Sequence, residues 1–280
     1  MKTIVYGLLS VALIVFASSC TMDDDLQNIH YYKQSTNNEY IKSISVQNYI
    51  VQKFCYDKTG KIREDNSMYF YHRYSYDKNN RLVKIETAFD ELYHLSSSVP
   101  VVGESELKTS ANSTINSYEL FKYDYKGQLS KTEYYHKMTG KKFELRSMNS
   151  YEYKGALIVK ENLHDPKGKI TQYREYTYDN RGNVVKEKYY SNNETSKPEL
   201  VSEISYQYDN YKNPFRILSI VGHPGFYTNV NNIIETSSIL YLDVPGIDKY
   251  SSSKQTYKYN TKGYPVKLIT QDGSEEEYEY

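Results

Sequence analysis

The chain has 280 residues with 35 basic and 35 acidic side chains, two cysteines, no tryptophan and 34 tyrosines. Tyrosine makes up about 12% of the residues and supplies nearly a third of the 39% counted as hydrophobic. This argues against a conventional aliphatic core, and against disorder, because aromatic side chains this dense are not left in water. Zero net charge lacks the basic excess that marks nucleic-acid binders, so no nucleic-acid partner is expected.

Residues 1–19 read as a signal segment rather than as part of the fold. Lys2 supplies a short positive start, and the 13-residue apolar run from Ile4 to Phe16 is too short to span a bilayer as a helix. The following Ala17-Ser18-Ser19-Cys20 resembles a bacterial lipobox of the looser Bacteroidota type. Asp23, Asp24 and Asp25 then resemble the acidic export tag of Bacteroidota surface lipoproteins. The resemblance implies removal of residues 1–19, a lipid on Cys20, and a lipid-anchored, surface-exposed place at the outer membrane. Residues 20–38 become the lipidated N-terminus and a flexible acidic tether. With Cys20 acylated, Cys55 is the one thiol left, no intrachain disulfide forms, and Cys55 is expected to act as a small apolar residue in a strand.

Residues 39–280 carry an internal repeat: aromatic-x-Tyr-Asp-x-x-Gly-x-aliphatic, with a basic residue two positions later. Clear copies are Phe54 to Ile62 and Tyr176 to Val184. Tyr74 to Leu82 has Asn80 at the glycine position, and Phe121 to Leu129 keeps Asp124 and Gly127. Tyr206 to Pro214 keeps Asp209 but has Lys212 for glycine, Tyr257 to Pro265 has Asn260 for Asp and keeps Gly263, and Tyr151 to Ala156 shortens the turn. Asp or Asn opens a type I turn because its side chain accepts from amides ahead of it, and the glycine provides the left-handed residue of a bulge. The structural turn residues are therefore Asp57, Gly60, Asp77, Asp124, Gly127, Asp179, Gly182, Asp209 and Gly263. The spacing pairs Tyr56 with Ile62, Tyr76 with Leu82, Tyr123 with Leu129 and Tyr178 with Val184.

Continuing by two residues sets Tyr74 opposite Lys84, Phe121 opposite Lys131, Tyr176 opposite Lys186, Tyr206 opposite Arg216 and Tyr257 opposite Lys267. That predicts an aromatic–cation ladder on one sheet face, with lysine stems over the rings. The same scheme pairs Lys267 with Tyr278 across Asp272-Gly273, and leaves Pro265 in an inner strand unless a bulge intervenes. Two stretches read as loops: 89–117, rich in serine, and 222–246, rich in Pro, Gly and Asn.

The Tyr-x-Tyr-Asp-x-x-Gly phrases resemble the YD repeat of the RHS family, over roughly residues 50–270. The phrase Tyr206 to Phe215 and the later Asn231-Asn232-Ile233 and Gly263-Tyr264-Pro265 are similar to those of tyrosine-rich Bacteroidota lipoproteins. The resemblance implies an all-β fold, in which antiparallel repeated hairpins form a curved extended sheet or an open barrel-like wrap. It brings no activity with it. No zinc spacing occurs among His30, His72, His94, His136, His164 and His223, and there is no nucleophile elbow or phosphate loop. Catalytic residues, a metal site and a cofactor are accordingly not expected. The favoured function is a noncatalytic surface module that binds a protein or glycan. The alternatives are a structural, adhesin-like spacer and a glycan hydrolase assembled from scattered carboxylates.

Overall fold

The computed structural model describes residues 40–89, 107–110, 112–191, 198–216, 223–242, 246 and 248–280. The signal segment, Cys20, Asp23, Asp24 and Asp25 lie outside the described residues, as does most of the 89–117 loop. Sixteen strands are described: β1 (Ser43–Val46), β2 (Tyr49–Tyr56), β3 (Ile62–Ser67), β4 (Phe70–Tyr76), β5 (Leu82–Phe89), β6 (Ser117–Tyr123), β7 (Leu129–His136) and β8 (Glu144–Lys154). The second half holds β9 (Leu157–His164), β10 (Ile170–Tyr178), β11 (Val184–Ser191), β12 (Glu199–Tyr208), β13 (Ile233–Leu240), β14 (Tyr250–Tyr259), β15 (Pro265–Thr270) and β16 (Glu275–Glu279). Each pairs antiparallel with its sequence neighbours, and β1 pairs with β16 through Ile44 opposite Tyr278. The sheet is thereby a closed barrel, which removes the exposed edges that an open wrap would leave.

The repeat builds the turns at one end of this barrel. At the first, Asp57 Oδ1 accepts from the amides of Thr59 (2.8 Å) and Lys61 (3.1 Å), while the Gly60 amide donates to Asp57 O at 2.9 Å. Gly60 has φ +81° and Asn80, in the equivalent place, φ +64°, so both occupy the left-handed region the turn requires. Asp124 and Asp179 accept from amides two and four residues ahead in the same way.

The tyrosine–aliphatic pairs of the repeat occur: Tyr56 with Ile62, Tyr76 with Leu82, Tyr123 with Leu129, Tyr178 with Val184. The ladder two residues further on does not. A bulge at the second residue of each returning strand shifts the register by one, so Tyr74 faces Ile85 and Lys84 faces Ser75. Likewise Phe121 faces Thr132, Tyr176 faces Glu187 and Tyr257 faces Leu268, while Lys131, Lys186 and Lys267 oppose Lys122, Thr177 and Lys258. The same shift places Lys267 against Glu277 rather than Tyr278, and the bulge at Val266 follows Pro265 and accommodates it. Rings and cations therefore occupy opposite faces of the wall.

The inner face is aromatic and the outer face is charged. Phe54, Tyr74, Phe121, Tyr151, Tyr176 and Tyr278 are buried toward the lumen. The alternating outward positions carry ion pairs instead: Lys84–Glu86 at 2.7 Å, Lys122–Glu133 at 2.6 Å and Lys186–Glu203 at 2.5 Å. Two stacked tyrosine pairs share this outer face. They are Tyr118–Tyr135 (centroids 4.7 Å apart) and Tyr173–Tyr190 (4.4 Å), with Lys84 and Lys160 over the Tyr118 and Tyr173 rings.

Cys55 is disulfide-bonded, which corrects the expectation of a lone thiol; its partner lies outside the described residues.

Candidate functional site

A sixteen-stranded wall encloses a lumen wide enough for an aqueous channel in porins. Here part of it is occupied by the chain's own material. The sixth copy of the repeat does not turn back at Asp209. The amide that Asp57 Oδ1 holds is four residues along, at Lys61, whereas the equivalent for Asp209 Oδ1 is twenty-three along, at Asn232. Between them the described residues 213–216 and 223–231 form a plug in the lumen, and the wall resumes where Tyr208 pairs with Ile233. Two expectations are corrected by this. Arg216 lies in a short 3-10 turn at residues 214–216 rather than opposite Tyr206, which pairs with Thr236. The described residues of the 222–246 stretch are mostly plug and strand β13.

Asparagines hold the plug in place. Asn183, fully buried behind Gly182, accepts the amides of Val230 (2.8 Å) and Asn231 (3.0 Å) and donates to Asp179 and to Asn231 Oδ1, each at 3.0 Å. Asn229 Oδ1 takes the Val184 amide, and Asn213 Nδ2 donates to the carbonyls of Phe226 and Asn229. At the plug's head, Phe215 packs among Phe54, Tyr278 and Phe226.

The tyrosine immediately before each turn does a second job. Inter-hairpin ladders stop short of the turns; β3 and β4, for example, pair only from Glu64 opposite Arg73 to Asn66 opposite Tyr71. The next hairpin's tyrosine hydroxyl caps the carbonyl left beyond the ladder: Tyr76 donates to Ile62 O, Tyr123 to Leu82 O, Tyr153 to Leu129 O and Tyr178 to Ile158 O, at 2.6–2.9 Å. Tyr208 does the same to Val184 O, Tyr280 to Pro265 O and Tyr56 to Ile41 O, while Tyr259 donates to Asp209 instead. Burial pushes the phenols of Tyr56, Tyr76, Tyr123, Tyr153, Tyr178 and Tyr208 up, to about 12 for Tyr153, so they stay protonated donors.

Beyond the aromatic layers lies a polar belt. His223 of the plug has Nδ1 2.8 Å from Glu161 Oε1 on β9, and Tyr176 donates to Glu161 Oε2 at 3.0 Å. Wall strands surround His223, yet its side chain is 45% exposed, so it faces a solvent-accessible part of the lumen. Burial opposes ionisation of both groups, but their mutual hydrogen bond and charge prevail: Glu161 is held below the ordinary carboxylate range and His223 is raised. Glu119 is pushed up, first by burial and further by the Glu161 charge. Arg174 pairs with Glu187 at 3.0 Å farther round the wall. No sequence signal singled out His223, Glu119 or Glu161, because three strands and a plug unite residues with no mutual spacing. Among the described residues no group of three or more His, Cys, Asp or Glu is arranged to hold a metal ion.

Among the described residues, two sizeable spaces lie beside the plug. The larger, about 550 Å³, lies at the turn end between Pro224, Thr228 and Val230 of the plug and the wall around Leu129, Tyr153 and Tyr178. The smaller, about 300 Å³, lies across the plug, between Phe215 and Phe226 on one side and Gln52, Gln255 and Glu276 on the other.

These features define a closed antiparallel barrel with inward aromatics, outward charges and a self-supplied stopper. No protein-family model and no curated protein matches the chain. Among solved structures it is similar in fold to a porin-like protein from Bacteroides vulgatus, with TM-score 0.51, 14% identity, and coverage of 86% of this chain and 99% of that one. A porin-like protein from Bacteroides uniformis also aligns, at TM-score 0.43 and 10% identity over 85% of this chain and 94% of that one. At such identities the likeness speaks to the fold alone.

Proposed function

We propose that the chain is a noncatalytic Bacteroidota-type surface lipoprotein built from YD-like hairpins, whose barrel stands in water and serves as a binding or accessory module for a protein or glycan. The observation that carries this is the polarity of the wall. A membrane-spanning barrel needs an outward apolar band, and lysine facing lipid at the midplane costs about 2–4 kcal/mol. Outward Lys84, Lys122, Lys131, Lys186, Lys258 and Lys267 would be buried at that cost.

In this reading residues 1–19 are removed, lipid on Cys20 holds the protein to the outer membrane, and residues 21–38 tether it. The tether joins at Tyr40, whose ring lies 5.2 Å from Tyr56 at the turn end, so the opposite rim points away from the membrane. The stacked Tyr118–Tyr135 and Tyr173–Tyr190 pairs supply the outward aromatic surface for a partner, since tyrosine gives contact area at small entropy cost. A lipid thioether and a disulfide cannot share one sulfur, so the chemical state of Cys20 decides between this reading and a disulfide-bonded form. Mass spectrometry of the membrane-extracted protein tests it. A lipid-modified Cys20 is expected; a Cys20 without lipid ends the lipoprotein reading. Glycan-array and pull-down screening with Tyr118→Ala and Tyr173→Ala then tests the binding role, and silence in both for the parent protein would sink it.

A further inference from the structure

We propose that the 550 Å³ turn-end cavity binds a small amphiphilic anion: a single carboxylate on an apolar body. Its volume falls in the range of small-molecule sites, about 300–1,000 Å³. Its charged lining is of one sign, Arg81, Arg181 and Arg216, and among the described residues no Asp or Glu lines it. Arg81 and Arg181 are already engaged by their own turn aspartates, Asp77 at 2.8 Å and Asp179 at 3.3 Å. Arg216 has no ion-pair partner among the described residues and sits on the plug at the cavity wall, so it is the cation free to receive an anionic head.

The rest of the lining decides what the body of the ligand must be. Tyr123, Tyr153 and Tyr178 look suited to sugar hydroxyls, but each has spent its own hydroxyl proton on a wall carbonyl. What they present is ring surface, continuous with Leu129, Leu157 and Ile158. A glycan would leave most of its hydroxyls unmatched there, at a desolvation penalty. A fatty or aromatic acid leaves none. This site is separate from the outer tyrosine pairs, so it can fail without affecting the surface-binding reading.

The test is isothermal titration of the purified protein with decanoate, 2-naphthoate and the uncharged decanol, each below its aggregation limit. One decanoate or naphthoate is expected per chain, with decanol weaker by about tenfold or more, the factor a charge-assisted contact provides. Arg216→Gln should bring the acids down to the level of decanol and leave decanol unchanged. Leu157→Trp, which fills the mouth without altering charge, should weaken all three. Preference between decanoate and naphthoate tells a flexible from a flat body. The inference is overturned if none binds saturably, if decanoate and decanol bind alike, or if binding is indifferent to both substitutions.

Discussion

Replacing Asn183 with alanine attacks the stopper at its most enclosed point. The side chain makes four hydrogen bonds, two of them accepting the plug amides of Val230 and Asn231. Loss of the acceptor leaves these two amides unsatisfied, at about 1–3 kcal/mol each where water cannot enter. The neighbouring cavity is lined by both Gly182 and Val230, so water can recover part of that cost. A net loss of about 2–4 kcal/mol follows, which for a domain of this size lowers Tm by roughly 5–15 °C. Thermal and urea unfolding followed by circular dichroism measure it, with Asn180→Ala on the same turn, exposed to solvent, as a control expected to stay within about 0.5 kcal/mol. Proteolysis within residues 209–232 should accelerate in Asn183→Ala alone. Equal stabilities for the two variants would refute the asparagine anchor.

Other consequences can be checked separately. Tyr123→Phe keeps the ring and uncaps Leu82 O, for a loss of about 1–2 kcal/mol by urea denaturation, and Tyr153→Phe should add to it nearly independently. Gly127→Ala meets no neighbouring atom and should cost about 1–2 kcal/mol of left-handed strain, whereas a Cβ on Gly60 would lie 2.7 Å from Tyr40 Cζ, so Gly60→Ala should lose more and release Tyr40. The His223–Glu161 pair sets a pH window. The raised His223 contributes stability fully below its ordinary value of 6.5 and loses it as pH rises through the folded value, while the lowered Glu161 contributes above 4.5 and loses it as pH falls. The stability difference between the parent and His223→Gln should therefore be largest between those values and shrink on either side; a difference that went on growing as pH rose well above 6.5 would contradict the pairing.

The turns were legible because a short-range rule governs them: Asp or Asn must cap, and a left-handed residue must follow. This reaches even to Asn80 in place of glycine. The first aromatic–aliphatic pair was legible for the same reason. The register beyond it was not, since the bulges at Val83, Ser130, Val185 and Val266 carry no distinctive residue, and one uncounted residue turns Lys84 from facing Tyr74 to facing Ser75. Closure rests on β1 finding β16, more than 230 residues apart, which no local pattern encodes. The plug was half visible. Pro214, Pro224 and the run Asn229 to Asn232 read as loop chemistry, but whether a polar loop lies outside or threads the lumen depends on Asn183, 46 residues before Asn229 in the chain. The tyrosine excess has two structural causes. The ring before Asp is tyrosine because its hydroxyl closes a seam. The ring two before that can be phenylalanine, as at Phe54 and Phe121, unless an inward polar partner such as Glu161 or Glu187 awaits its hydroxyl.

The central claim is that this barrel turns charge outward and rings inward, and stands in water. The native chain has no tryptophan, so Thr177→Trp, at an outward and exposed position of β10, provides a single reporter. In membranes bearing the anchored protein, that indole should be quenched by aqueous acrylamide and ignored by spin-labelled lipid. Quenching by the lipid label, with protection from acrylamide, would mean that the wall meets the bilayer and would contradict the account.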